Sequence, residues 1–207
     1  MITVIANLKG GSGKSTVSFN LAIWLLCHGF EVQAIDLDPQ RTLYDVAKVR
    51  TSEGVEPELN VLATTDPDFD TGIDVEVIVD VGAANPHGMN KAIQSADRII
   101  IPVPPSQPDV WATQRFLKMV EDARKEISRE VGIYVFVNRA DTHHAVRESD
   151  DTEMALSQLS NASLLPQRLY QRTLYRRSMS EGLAVFELWR KSKGSDEFEA
   201  FASALYQ

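Results

Sequence analysis

With 207 residues, 43% of them hydrophobic and 24% charged, the chain is long enough to bury the core of one domain and too short for two comfortable ones. It opens on no basic-apolar leader and contains no run of about 18 apolar residues, which predicts a soluble, intracellular protein, and its single Cys27 excludes an internal disulfide or a cysteine-held cluster within the chain. A net charge of −8 excludes a uniformly basic coat, yet residues 164–193 hold seven cations and two anions, a local balance of +5 against −13 for the remainder.

Residues 2–20 read as an apolar strand, a glycine-rich turn and the start of an amphipathic helix. In that context residues 9–16 form a phosphate-binding loop. Gly10, Gly11 and Gly13 lack a Cβ, so the backbone can curl with its N–H groups inward, and the following helix adds its positive dipole end at the same point. Lys9, Gly10, Gly11, Ser12, Gly13, Lys14, Ser15 and Thr16 are therefore the expected phosphate-side contacts. Lys14 is placed to reach the β- and γ-phosphates, and the Ser15 hydroxyl to ligate Mg²⁺. The general pattern puts a glycine at position 8; this chain has Leu8 there and a second lysine, Lys9, next to it.

The helix predicted over 15–28 carries Leu21, Trp24, Leu25 and His28 at helical spacing, with Gly29 as its stop and Cys27 as a small buried thiol. A strand over 31–35 ends in Asp36-Leu37-Asp38-Pro39-Gln40, which sets carboxylates at the C-terminal end of a strand beside the loop, where open parallel sheets bind ligands. The plainer reading of Asp38 is a helix N-cap. Residues 51–72 are a turn-rich acidic excursion with one short strand candidate at 59–63. The run Val77-Ile78-Val79 ending in Asp80 reads as a buried parallel strand with a carboxylate at its tip, the form of a Walker B element whose aspartate holds Mg²⁺.

A short helix over about 90–96 and a strand over 98–103 follow. Residues 102–109, with four prolines, are excluded from regular helix. They lead to Trp111 and a long amphipathic helix bearing Phe116, Leu117, Val120, Ala123 and Ile127. Residues 133–137 are a further strand, ending in Asn138-Arg139. His143 and His144 open the next helix, and adjacent positions share no helix face on which to bind a metal. Around 168–177 cations recur every four or five residues with Tyr170 and Tyr175 between them. Such a patch can neutralise backbone phosphates without reading sequence, although by itself it reads first as an ordinary solvated helix face. The C-terminal residues, with an N-cap and an acidic first turn, read as a docked closing helix. A membrane-targeting helix would be basic opposite its apolar face, so no membrane partner is expected. Five strand candidates alternating with helices imply an α/β fold: a mostly parallel twisted sheet with helices on both faces. No internal repeat is present, and with a strand starting at Ile2 no helix-turn-helix extension precedes the sheet.

The loop Lys-Gly-Gly-x-Gly-Lys-Ser, the Asp-x-Asp-Pro-Gln stretch at 36–40, the strand ending in Asp80 and the Ile-Pro-Val-x-Pro-Ser-x-x-Asp-x-Trp-Ala stretch at 101–112 resemble, in order and across the whole chain, the deviant-loop ATPases of the ParA/MinD family. The likeness is strongest to its small plasmid-partition members, including microcompartment-positioning relatives. The resemblance implies a single P-loop NTPase domain over 1–207 that uses ATP and Mg²⁺ and forms a homodimer when ATP binds. Lys9 then crosses to the partner's phosphates, Lys14 serves its own subunit, and Asp38 orients or activates the attacking water. Asp36 joins Ser15 and Asp80 in the metal neighbourhood, and Asn138 recognises the adenine edge, where the plain alternative is a turn former. It further implies non-specific DNA binding through the basic segment at about 164–193, with Arg168, Arg172, Arg176, Arg177, Lys191 and Lys193 as contacts. An adaptor protein that stimulates hydrolysis, and a cytoplasmic, nucleoid-associated location, complete the picture. The family commonly continues Asp-x-Pro-Pro where this chain has Asp80-Val81-Gly82-Ala83, leaving Gly82 to offer a close backbone N–H. Two rival functions share the sheet: a metabolic ligase or kinase of the dethiobiotin-synthetase type, and a DNA-transfer accessory ATPase binding a defined site. ATPase turnover with DNA and a partner against turnover with small acceptors separates the first, and footprinting the second.

Overall fold

The computed structural model describes residues 1–69, 74–143 and 146–206. In chain order the elements are β1 (Ile2–Ala6), α1 (Lys14–Cys27), β2 (Glu31–Asp36), α2 (Thr42–Ser52), β3 (Val61–Ala63), β4 (Val75–Val81), α3 (Pro86–Ser95), β5 (Arg98–Val103) and α4 (Gln107–Ala123). There follow β6 (Gly132–Ala140), α5 (Glu148–Ser157), β7 (Ser163–Leu164), β8 (Leu169–Tyr170), α6 (Thr173–Ser180), α7 (Val185–Leu188) and α8 (Lys193–Tyr206). Every pairing is parallel, in the order β3-β2-β4-β1-β5-β6-β7, with β8 also on β6. The chain winds outward in one direction through α1 and in the other through α3, so the order reverses beside β1, and ligand crevices form at such points.

Successive side chains of a strand face opposite sides, and the sheet accordingly divides two cores. Ile5 and Ile78 pack with α1, α2 and the C-terminal helices. Val4, Ala6, Val77, Val79 and Val81 pack with α3, α4 and α5. By the same parity Asp80 lies on the α1 face.

Several elements differ from the sequence expectation. α1 is not amphipathic in use: every residue from Val17 to Leu25 is buried. α7 and α8 cover its outer side, where Asn20 Oδ1 accepts from Val185 N at 2.7 Å and Trp24 Nε1 donates to Glu199 at 2.9 Å. Cys27 is exposed rather than buried, because it ends the helix beyond that cover. α3 starts at Pro86 instead of residue 90, since Asn85 caps it through Gly88 N (2.9 Å) and proline suits a first helical turn. α4 likewise starts at Gln107 with Pro108 in its first turn and Ser106 as cap, so residues 107–109 are helical after all, and Ile127 lies past its end. His143 sits in a bend ahead of α5, which begins at Glu148, and His144 lies outside the described residues. The basic segment is not one helix face: it runs from the end of β7 through β8, α6 and α7 to the first residue of α8. α8 is the docked closing helix expected, with Phe198, Phe201, Ala202 and Leu205 buried. Among the described residues no helix is long and apolar enough to cross a membrane.

Candidate nucleotide site

β1 runs straight into the glycine-rich loop, and its neighbours bring two carboxylates alongside, with Ile5 opposite Asp80 and Asp36 opposite Asp80 in register. Gly13 has φ 90°, a left-handed turn that starts α1. Asn7 holds the entry to the loop by donating to Pro102 O (2.9 Å) and accepting from Lys9 N (3.1 Å). The Lys14 ammonium folds back onto Lys9 O at 3.1 Å. Burial holds its pKa below the usual lysine range, partly offset by Asp80 and Asp38 nearby. Lys9 is half-buried, and among the described residues its ammonium makes no hydrogen bond or ion pair.

The three aspartates have distinct surroundings. Asp80 is fully buried, and neither carboxylate oxygen has a donor at hydrogen-bonding geometry. Burial pushes its pKa up to about 7, against the weaker opposing pull of the Ser15 hydroxyl and the Lys14 charge. Two orphaned, buried carboxylate oxygens beside a serine hydroxyl suit a hard, oxygen-seeking divalent cation. Among the described residues no group of three or more His, Cys, Asp or Glu gathers to cage a metal. Asp36 is otherwise placed. Its oxygens accept from Asp38 N and Tyr44 N, both at 3.0 Å, so it anchors the 36–40 loop and the start of α2, each oxygen keeping a second lone pair for the metal neighbourhood. Burial raises its pKa while those backbone donors lower it. Asp38 reaches the site: Oδ1 accepts from Gln40 N at 2.9 Å, and Oδ2 lies 2.1 Å from where a Cβ on Gly82 would stand. The Gly82 departure thus acquires a physical reason, namely room for the Asp38 carboxylate.

A cavity of about 470 Å³ opens beside the loop, lined by Gly10, Gly11, Gly13, Lys14, Ser15, Thr16 and Asp38 at one end. Asn138 and Arg139 wall it against the loop, and residues 169–172, Tyr175, Arg176 and Phe198 complete its lining. Ser12 is buried within the loop. Asn138 Nδ2 donates to Ser12 O at 2.6 Å, and its amide packs where a Gly13 Cβ would be. One amide hydrogen of the expected base reader therefore grips the loop. Arg139, Tyr175 and Phe198 are wall residues that the sequence did not announce. Arg139 was visible only as the neighbour of Asn138, and Tyr175, read as part of a solvated patch, is buried, with its hydroxyl pKa raised by burial.

The six cations expected on DNA are divided by the fold. Arg168 is tied to Asp150 and Glu153. Arg172 forms a two-pronged pair with Glu197, lies 5.4 Å from the Tyr170 ring centre and lines the cavity, as does Arg176. Arg176, Arg177, Lys191 and Lys193 are exposed and, among the described residues, form no ion pair; Arg190 shares that setting beside Trp189, which is 61% exposed.

The Halothiobacillus neapolitanus "Maintenance of carboxysome distribution protein A" is 29% identical over 208 residues, 92% of this chain and 89% of that protein. Protein ParA of Rhizobium radiobacter is 26% identical over 220 residues, covering 100% and 96%. Among solved structures, apo McdA of Cyanothece superposes with TM-score 0.80 at 20% identity over 98% of each chain. An ATP complex of a variant of that protein gives TM-score 0.77 at 19% identity over 99% and 95%. The family model described as the CobQ/CobB/MinD/ParA nucleotide binding domain matches residues 3–185, and the chain belongs to that family.

Proposed function

We propose that the chain is an ATPase that dimerises around ATP, binds DNA non-specifically as a dimer, and positions an intracellular cargo with an adaptor protein accelerating hydrolysis. The observation that carries this reading is the contrast between the two loop lysines: Lys14 is held inside its own loop, whereas the Lys9 ammonium has no partner among the described residues. A cation left unpaired beside a phosphate cradle is suited to neutralising the phosphates of a second copy.

In this reading Ser15 and Asp80 hold Mg²⁺, which supplies positive charge to the phosphate oxygens. Gly10 to Thr16 present backbone N–H groups, and Lys14 leaves Lys9 O for the β- and γ-phosphates. Asp38, seated against Gly82, orients the attacking water. The base takes the end of the cavity walled by Asn138, Tyr170, Tyr175 and Phe198. Arg176, Arg177, Arg190, Lys191 and Lys193 are the cations available to a polyanion. Because Arg172 and Arg176 also wall the cavity, reversing their charge would disturb nucleotide binding along with any DNA contact. Similarity to proteins named for carboxysome distribution and for ParA favours a microcompartment or a plasmid as cargo.

The test is light scattering on purified chain with a non-hydrolysable ATP analogue and magnesium. The wild type should shift to a dimer, and Lys9→Ala should stay monomeric with nucleotide bound. A nucleotide-driven dimer of Lys9→Ala would overturn the cross-interface role.

A further inference from the structure

Arg139 has φ 59°, one of three non-glycine residues with positive φ among those described and the only one of the three that lines the nucleotide cavity. A residue with a side chain adopts this conformation against steric resistance, and it persists where surrounding contacts demand it. Here the contacts are specific. The guanidinium donates to Gly11 O at 2.5 Å through one terminal nitrogen and to Gln171 Oε1 at 2.7 Å through Nε, so it spans the loop and the opposite wall. The preceding residue, Asn138, holds Ser12 O at 2.6 Å. Two consecutive residues thus grip two consecutive carbonyls of the phosphate loop.

A peptide unit is planar and trans, so its C=O and N–H point in opposite directions. Fixing the Gly11 carbonyl on Arg139 turns the Ser12 N–H to the opposite side, and fixing the Ser12 carbonyl on Asn138 does the same for the Gly13 N–H. These are the dipoles an anion-binding loop has to present. We propose that Arg139 is a positioning residue for the phosphates: bound to Gly11 O and braced on Gln171, it keeps the loop's N–H groups turned toward the anion before ligand arrives. This rests on the nucleotide-binding reading above and adds to it a role at the triphosphate rather than at the base.

Arg139→Gly tests it, since glycine suits the left-handed backbone while the side chain and both of its hydrogen bonds are removed. Its melting temperature should not fall, whereas affinity for both Mg·ATP and inorganic tripolyphosphate should drop by the same factor, about tenfold, as expected when one charge-assisted hydrogen bond that orders the site is lost. Arg139→Lys, which keeps a donor for Gly11 O without the fork that also holds Gln171, should recover part of both. Unchanged affinities in Arg139→Gly, or a loss confined to ATP, would overturn the proposal while leaving the nucleotide-binding reading standing. Wild-type chain that binds neither ligand would overturn that reading itself.

Discussion

Removing the charge of Asp80 should stabilise the nucleotide-free protein at alkaline pH and leave it unchanged in acid. Among the described residues neither Asp80 oxygen has a donor at hydrogen-bonding geometry, and burial, against a weaker pull from the Ser15 hydroxyl, pushes its pKa up to about 7. An unfolded aspartate titrates near 3.9, so the folded form holds its proton across roughly three pH units in which the unfolded chain has lost it. Stability therefore falls as pH rises from about 4, by up to about 1.4 kcal/mol per unit, and the penalty is complete above about 7, at roughly 4 kcal/mol before relaxation and water entry reduce it. Asp80→Asn has the same shape and no such titration. In magnesium-free urea unfolding the two proteins should match near pH 4, and the variant should be about 2–4 kcal/mol more stable at pH 8. Mg·ATP should reverse the order at pH 8 by stabilising only the wild type. Parallel stability curves from pH 4 to pH 8 would refute the argument, because they would mean that ionised Asp80 is already satisfied in the empty site.

Arg50 is fully buried and donates to Pro57 O at 2.7 Å, to Gly182 O at 3.0 Å and to both Glu187 oxygens at 2.8 Å. Arg50→Met should cost about 3–5 kcal/mol in denaturant unfolding by leaving a carboxylate and two carbonyls without their donor, and adding Glu187→Met should restore more than half; strictly additive losses would show that the pair is not coupled. Gly82→Ala puts a methyl 2.1 Å from Asp38 Oδ2, so hydrolysis should fall by at least about tenfold with nucleotide affinity less affected, and full turnover would remove Asp38 from the role of water holder in this position.

The sequence disclosed most where a pattern and its structural context had to agree. The loop from Lys9 to Thr16 and the strand ending in Asp80 are legible because glycines, a lysine and a tip carboxylate are meaningful only between a buried strand and a helix. Asp36 and Asp38 were legible as a pair but not in their division of labour, since which carboxylate is held by Tyr44 N and which faces Gly82 depends on the turn into α2. α1 read as amphipathic because spacing reports hydrophobic positions and not how many neighbours cover them; α7 and α8 return from far along the chain to close its outer face. The basic segment was the least legible. Charge density shows that cations are present, but the carboxylates that neutralise Arg168 and Arg172 come from α5 and α8, and no local pattern links them.

That same segment joins the two activities the proposal requires. Its inner side, through Tyr170, Arg172, Tyr175 and Arg176, closes the nucleotide cavity, and its outer side presents Arg177, Arg190, Lys191 and Lys193 to solvent. A physical chain also reaches it from the phosphate end. Asp36 fixes the first turn of α2 through Tyr44 N, Arg50 in the last turn of α2 grips Glu187, and Glu187 caps α7 through Ala184 N at 2.8 Å, immediately before the exposed cations. Contiguity of this kind is no proof of coupling, which needs two states that both sites bias. It does set a constraint: a displacement of the 36–40 loop on phosphate binding either breaks the Asp36–Tyr44 hydrogen bond, at about 1 kcal/mol, or is passed to α2, which can then move only by carrying α7 with it or by breaking a buried two-pronged ion pair at about 3–5 kcal/mol.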